Sequence, residues 1–415
     1  MPGRWGDGAL KALQFTDSKF RYALGKALGQ VYPGIHLSSL GNLLYRDVPE
    51  PRLPGQRWVR VRTRLAGICG SDLNLIRLHN SPSLSPFVSF PFTVGHENVG
   101  TVGEVGPAVK GFQPGDRVAV DPLLACEARE IEPPCPHCQR GDFSICDNFT
   151  RGDLARGMLI GNCRDTGGGW SESFVAHETQ LHHIPDDLSD EEAVLVEPLS
   201  CSLHAVARHR PADGEVVLVV GAGIIGLGVI ASLRALGHKN RIIALARHEH
   251  QGEAAARMGA DEVVRARGDY DRKVASLVGA SVHRPILGPP VIRGGPGLIY
   301  ECVGNSRSIS DALRLAGSGG RVVLAGLASI PSGVDWSRVW QSQLTIAGTY
   351  ASGLEDIDGQ AVSSFEKALQ LMSARAVPFV GLLTHRFALA DYRQAFETAL
   401  DKGGNGLIKA TFVFD

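Results

Sequence analysis

The stretch Val216–Leu233, VVLVVGAGIIGLGVIASL, decides how this chain is read. Its 18 residues carry no charge, which meets the lower length limit for a membrane-spanning helix. Four glycines, at 221, 223, 226 and 228, interrupt it directly after a β-branched run, and that is the pattern of a buried strand turning into a helix. In Gly221-Ala-Gly223-Ile-Ile-Gly226 each of three glycines has a task. The first permits a tight turn, the second lets backbone approach a pyrophosphate, and the third lets helix pack against strand, while the helix N-terminus offers N–H groups to the anion. Glycines that serve packing alone are the bland alternative, and the strand-to-helix context argues against it. The segment predicts a dinucleotide-binding turn. Ile225 within it, and Val303 in the strand GLIYECVG, are assigned to the same site.

Moving outward, EVVLVV, RIIALA, GLIYECVG and GRVVLAGL are continuous apolar strands separated by helical segments such as HQGEAAARMGA and SISDALRLAG. Fully apolar strands alternating with helices imply a parallel sheet covered on both faces. The Pro/Gly-rich run at 285–297, PILGPPVIRGGPG, reads as a loop breaking that rhythm. Before Pro198 the texture is different. WVRVRTRLAGICG has period two, and VGTVGEVGPAV and DRVAVDPLL follow as short strands with Gly and Pro between them, so this half reads as β-rich and irregular. RYALGKALGQ reads as a short surface helix, SSFEKALQLMSA as a late one, and LIKATFVF as a terminal strand. At 415 residues, two domains are expected.

Forty-two basic and 43 acidic side chains leave a net charge of −1, so no electrostatic argument favours a nucleic acid or an anionic membrane as partner. The N-terminal residues show no secretory pattern, and a cytoplasmic location is expected. In such a compartment eight cysteines point to metal or catalysis before disulfides. Cys126-x8-Cys135-x2-Cys138-x7-Cys146 can satisfy a tetrahedral zinc with no open position, a structural site. Buried or reactive thiols are the alternative, because the first gap is long. His137, inside the cluster, reads as exposed.

Two further motifs, Cys69-Gly-Ser71-Asp72 and Gly95-His96-Glu97, each pair a possible metal ligand with polar neighbours. Glu197, in VEPLSCSLHA, is a carboxylate in an apolar run, a costly place for an unpaired charge that a cation would relieve. Cys201 and His204 read as core residues of the same helix.

GICGSD, GHE, the cysteine cluster, EPLS and GAGIIG occur in this order, and together they resemble the zinc-dependent medium-chain dehydrogenase/reductase family, on its polyol, threonine and alcohol dehydrogenase side. The resemblance covers roughly residues 10–415. It implies an α/β fold with a GroES-like β-rich catalytic domain, residues 1–200 and 346–415, and a Rossmann doubly wound parallel-sheet cofactor domain, residues 201–345. It implies that Cys69 and His96 bind a catalytic zinc, with Glu97 as ligand or close neighbour and Glu197 at the family's other ligand position. Ser71 matches the hydroxyl that passes the substrate proton, and Asp72 the carboxylate that orients the zinc-bound histidine. A homodimer or homotetramer is implied too, with a small alcohol or carbonyl compound as substrate.

The chain departs from the family pattern in three places. Asn74 stands where many members have a histidine that carries the proton onward, Cys126 is displaced by an insertion, and the region before Gly67 is long. LIRLHNSPSLSPFVSFPF, between the two catalytic motifs, reads as an unusual substrate lid, and Trp170 in CRDTGGGWSESF lines a pocket or sits in the core. A nucleotide-binding regulatory protein without catalysis and a zinc-free quinone or enoyl reductase are the alternatives. The retained Cys69, Ser71, His96 and Glu197 argue against the first, the cysteine cluster and GHE against the second.

NADP is expected in preference to NAD. An NAD-binding turn carries Asp or Glu about 20 residues beyond its glycines, on the ribose 2′-hydroxyl. Here that position holds Ala246, followed by Arg247, whose guanidinium can pair with a 2′-phosphate bidentately. Glu249 bending back to the ribose is the reading that would favour NAD.

Overall fold

The computed structural model describes residues 5–414. By its internal contacts the chain divides into two compact units, one made of the chain up to Glu197 with Ser352–Leu354 and the chain from Val380, the other of Pro198–Ala351 and Glu355–Phe379.

The first unit is built on a seven-stranded sheet. Its path is Leu383–Ala388, Lys409–Val413, Trp58–Gly67, Asn98–Val105, Arg117–Val120 and Leu181–His183, with Ser173–His177 also pairing Trp58–Gly67. All pairs are antiparallel except the first. Alternation along Trp58–Gly67 buries Val59, Val61, Thr63 and Leu65 and exposes Arg62 and Arg64, the period-two pattern of a sheet with one solvated face. A second sheet joins Trp5–Phe15 to Leu43–Pro51 and Phe92–Thr93. The surface helix expected near residue 20 is Lys19–Leu28. Trp170 belongs to the core: it is fully buried, donates its indole N–H to Gly67 O at 3.1 Å and meets Phe412 edge-on.

The second unit is a six-stranded parallel sheet in the order Glu262–Arg265, Ile242–Ala246, Val217–Val220, Leu298–Glu301, Arg321–Leu324, Thr345–Gly348. Numbered along the chain, that order is 3-2-1-4-5-6, the doubly wound arrangement whose topological switch point lies beside the first strand. The apolar stretch Val216–Leu233 is divided between the strand Val217–Val220 and the helix Ile224–Ala235, and among the described residues no helix is long and apolar enough to cross a membrane. The run 285–297 is more than a loop. Val291–Arg293 pairs antiparallel with Ser281–His283, and Ile292 is fully buried. Ile292 joins the hydrophobic core beneath it, and the Pro/Gly residues are confined to the turn and the exit.

Candidate active site and metal centres

The strand Trp58–Gly67 leads directly into Ile68 and Cys69, and Cys69 caps the short helix Gly70–Ile76. The Asp72 carboxylate accepts the Cys69 backbone N–H at 2.9 Å, which closes the first turn and fixes Cys69 and Asp72 relative to each other. Asp72 also lies 3.4 Å from His96 Nδ1. With Nδ1 so engaged, Nε2 is the nitrogen left for a metal, the arrangement by which a carboxylate orients a metal-bound imidazole. Burial disfavours a charged imidazole, but the Asp72 charge, with hydrogen bonding to Asp72 and Cys69, holds the His96 pKa well above its ordinary value.

Cys69, His96 and Glu97 each bring a donor atom within 4.8 Å of the other two. Their chemistry, a thiolate, an imidazole and a carboxylate, fits zinc. Glu197, 8% exposed in the first turn of the helix Val196–Arg208, does not fall in that group. Ser71 is half-buried in the first turn of the Cys69-capped helix.

One residue escaped the sequence reading. Lys409, 2% exposed on the last strand, forms an ion pair with Glu97, itself 1% exposed. Burial opposes the ammonium, but Glu97 and Cys69, with a contribution from Glu197, keep the Lys409 pKa above its usual value. The close approach of Glu97 depends on Gly67, where a Cβ would lie 2.0 Å from the Glu97 carboxylate. A signal was present: a lone lysine in LIKATFVF breaks an apolar strand just as Glu197 breaks its apolar run.

The four clustered cysteines also come together within 4.8 Å, Cys126 among them despite the long gap that set it apart. Cys126 and Cys146 sulfurs are 3.6 Å apart, and Cys135 and Cys146 sulfurs 3.9 Å. A tetrahedron with zinc–sulfur bonds of about 2.3 Å has edges of about 3.8 Å, so the thiols fit a tetrahedral cation. Asn148 supports them, its side-chain amide donating to Cys126 at 3.2 Å and its backbone N–H to Cys146 at 3.3 Å. Hydrogen bonding from Cys138, against the opposing effect of burial, brings the Cys146 thiol down to about 5, toward the thiolate a metal requires. Arg129, 3% exposed in the long gap after Cys126, donates to the carbonyls of Leu124, Arg151, Leu154, Ala155 and Gly157 and so ties this segment to the rest of the lobe. His137 is half-buried and outside the donor group.

In the parallel-sheet unit, Gly221 follows the first strand with φ of +98°, and a Cβ there would meet Val303 at 2.4 Å. At Gly226 a Cβ would lie 1.9 Å from Gly221 O, whereas Gly223, which caps the helix, faces open space. Two glycines are therefore required by the protein itself, and the third leaves room for a ligand at the helix N-terminus. Ile225 is half-buried in the first helical turn, and Val303 is 48% exposed. Glu301, fully buried, accepts the N–H groups of Val303 and Gly304 and shapes that side of the turn. The second strand ends on buried Ala246, with Arg247 exposed after it. His204 is buried against Glu355, and Cys201 is half-buried.

Residues 55–186 match the alcohol dehydrogenase GroES-like domain, and residues 225–374 the zinc-binding dehydrogenase domain. The chain is 30% identical over 357 residues to L-idonate 5-dehydrogenase of Vitis vinifera, covering 84% of this chain and 86% of that protein. It is 29% identical over 371 residues to sorbitol dehydrogenase of Bos taurus, covering 88% and 92%. A solved structure of alcohol dehydrogenase from Thermus sp. ATN1 superposes with a TM-score of 0.71 at 25% identity, covering 98% of this chain and all of that one. The chain belongs to the zinc-dependent medium-chain dehydrogenase family, among its alcohol and polyol oxidoreductases.

Proposed function

We propose that this protein transfers hydride between a secondary alcohol, polyol, sugar or amino alcohol and NADP, at a site where Cys69 and His96 hold a catalytic zinc with Glu97 and Glu197 as the carboxylates beside it. The observation that carries the reading is the convergence of Cys69, His96 and Glu97 within 4.8 Å, with Asp72 on the far nitrogen of His96. When bound, zinc supplies Lewis acidity to the alcohol oxygen, and the nicotinamide supplies the hydride acceptor.

The chain's own residues do the rest. In oxidation the alcohol carbon gives up a hydride and its oxygen a proton, which leaves a carbonyl. Ser71, on the helix capped by Cys69, relays that proton, accepting it as its own hydroxyl proton passes to solvent water. Asp72 fixes the ring orientation of His96 and favours its role as donor. Lys409 neutralises Glu97 and holds it at the edge of the donor group. Cys126, Cys135, Cys138 and Cys146 hold a second, structural zinc. Gly221, Gly223 and Gly226 carry the pyrophosphate with Ile225 and Val303 alongside, and Arg247 beside Ala246 receives the 2′-phosphate. Eight free cysteines support a reducing compartment, the cytoplasm.

The test is cofactor reduction by the zinc-loaded protein across polyols, sugars, amino alcohols and simple secondary alcohols, with each cofactor. Turnover should require zinc and favour NADP in kcat/KM. Equal or better use of NAD would refute the cofactor assignment, and zinc-independent turnover would refute the site.

A further inference from the structure

The ribose end of the cofactor turn is more basic than Arg247 alone implies. The strand Glu262–Arg265 runs parallel to Ile242–Ala246 with Arg265 directly beside Ala246. A guanidinium therefore stands next to the position from which a carboxylate would hold a ribose 2′-hydroxyl. Arg267 follows two residues on and is exposed. From the other direction, His248 occupies the N-cap of the ten-residue helix Glu249–Met258, and its ring lies parallel to that of His250, 12° and 5.6 Å between planes and centroids. Arg247, His250, Arg265 and Arg267 all bear electrostatically on His248. The acidic group against this cluster is Glu249, 3.6 Å from Arg265 Nη1 and 81% exposed, so the pair is screened by solvent.

Two nitrogens of the cluster, Nε2 of His250 and Nε of Arg265, are buried and have no hydrogen-bond partner among the described residues. Buried polar groups are costly when unpaired. Each contributes from a different element, one from the helix and one from the neighbouring strand, and a ligand with several acceptor oxygens would satisfy both. Such a ligand must also be anionic, because it enters among three arginines.

We propose that Arg265 and the stacked His248–His250 pair select a nucleotide phosphorylated at its ribose 2′-oxygen, and that His248 takes up a proton as it binds. This rests on the NADP reading above and adds to it a second guanidinium, two imidazoles and a proton. In the free protein, burial and then the neighbouring cations Arg247, His250, Arg265 and Arg267 lower the pKa of His248. A phosphate monoester, with a second pKa of about 6, brings up to two negative charges into the same cluster and favours the imidazolium. The proton comes from solvent, and affinity for the 2′-phosphate rises as pH falls through the range where free imidazoles are neutral. Protonation of the free ligand alone would act in the opposite direction.

Calorimetric titration of the full-length protein with 2′,5′-ADP and with 5′-AMP, at about pH 8 and about pH 6.5 in buffers of different ionisation enthalpy, tests this without turnover. The expected result is 2′,5′-ADP bound at least about tenfold tighter than 5′-AMP, with that ratio growing several-fold at the lower pH and a buffer-dependent heat reporting proton uptake. Arg265→Gln should lower the ratio at both pH values. His248→Gln should flatten its pH dependence. Unchanged 5′-AMP binding in the variants shows that the fold is intact. A preference for 2′,5′-ADP that is independent of pH, or that survives Arg265→Gln unaltered, overturns this inference and leaves the NADP reading standing. No preference in the unmodified protein overturns both.

Discussion

The parallel-sheet unit and the β-rich unit assemble their sites in opposite ways. In the parallel sheet the residues assigned to the pyrophosphate lie within Gly221–Gly226, and the ribose position follows at the end of the next strand. A single strand-turn-helix supplies its own anion site, because backbone N–H groups at a helix N-terminus do the binding. In the β-rich unit the donor group draws on Cys69, His96 and Glu97, and Glu97 in turn is paired with Lys409, which lies 312 residues from it in sequence. No local segment there has binding chemistry by itself. The unit that binds by backbone can be built from a short motif, whereas the unit that binds by side chains must first fold its sheet correctly.

The strongest way to break that contrast is to remove the metal that holds the irregular lobe. Two zinc ions per chain are expected from the two donor groups. Cys135→Ser should lose one of them and with it the cooperative unfolding of the β-rich unit, since structural zinc in small domains contributes about 10–16 kcal/mol of apparent folding energy. Cys69→Ser should abolish turnover with a smaller change in stability. Elemental analysis giving one zinc or none for the unmodified protein would remove the premise.

Next in size is the Glu97–Lys409 pair. Replacing one partner of a buried ion pair leaves an uncompensated charge, a cost of about 3–5 kcal/mol. Lys409→Met should therefore lower the denaturant midpoint markedly, and Lys409→Arg should restore part of the loss. A Lys409→Met protein as stable as the parent would show that Glu97 is relieved by another cation.

How much could be read from the sequence follows the same division. The glycine turn, its strand and its helix were legible because they are contiguous, as was the doubly wound sheet from the alternation of apolar strands and helices. The site in the β-rich unit was legible only through its resemblance to a family, because neither spacing nor periodicity relates Cys69 to His96. Lys409 and Arg265 were missed because their neighbours come from distant segments, Glu97 across the sheet for Lys409 and Ala246 in register for Arg265, and neither is visible in a single strand. The long gap after Cys126 sets it apart from the other three cysteines in sequence, yet all four sulfurs meet, with Arg129 anchoring the segment between. The strand Val291–Arg293 was hidden by the prolines and glycines on either side of it.

Proton transfer gives a sharper and smaller effect. If Ser71 relays the substrate proton, Ser71→Ala should lower turnover on the order of 10²-fold, the size of a positioned acid–base contribution, while zinc content and cofactor binding stay unchanged. Full activity in that variant would remove Ser71 from the mechanism and leave the metal site in place.

The smallest expected effect separates the two units by their response to acid. His177, fully buried in the β-rich unit, has its pKa lowered to about 4, chiefly by burial and then by Arg57, and burial lowers His182 to about 4 as well. An unfolded histidine titrates near 6.5, so between about pH 6.5 and 4 the unfolded chain binds protons that the folded unit refuses. Stability is therefore fully supported above pH 6.5, falls as pH drops through this window, and has lost the contribution below pH 4. At pH 5 the loss from His177 is about 2 kcal/mol, and His182 acts with the same sign. Denaturant unfolding followed by near-ultraviolet signals from Trp58, which packs edge-on against the His177 ring, should show the midpoint falling from pH 7 to pH 5. His177→Gln should make that decline shallower. A decline of the same slope in the variant would assign the acid sensitivity elsewhere.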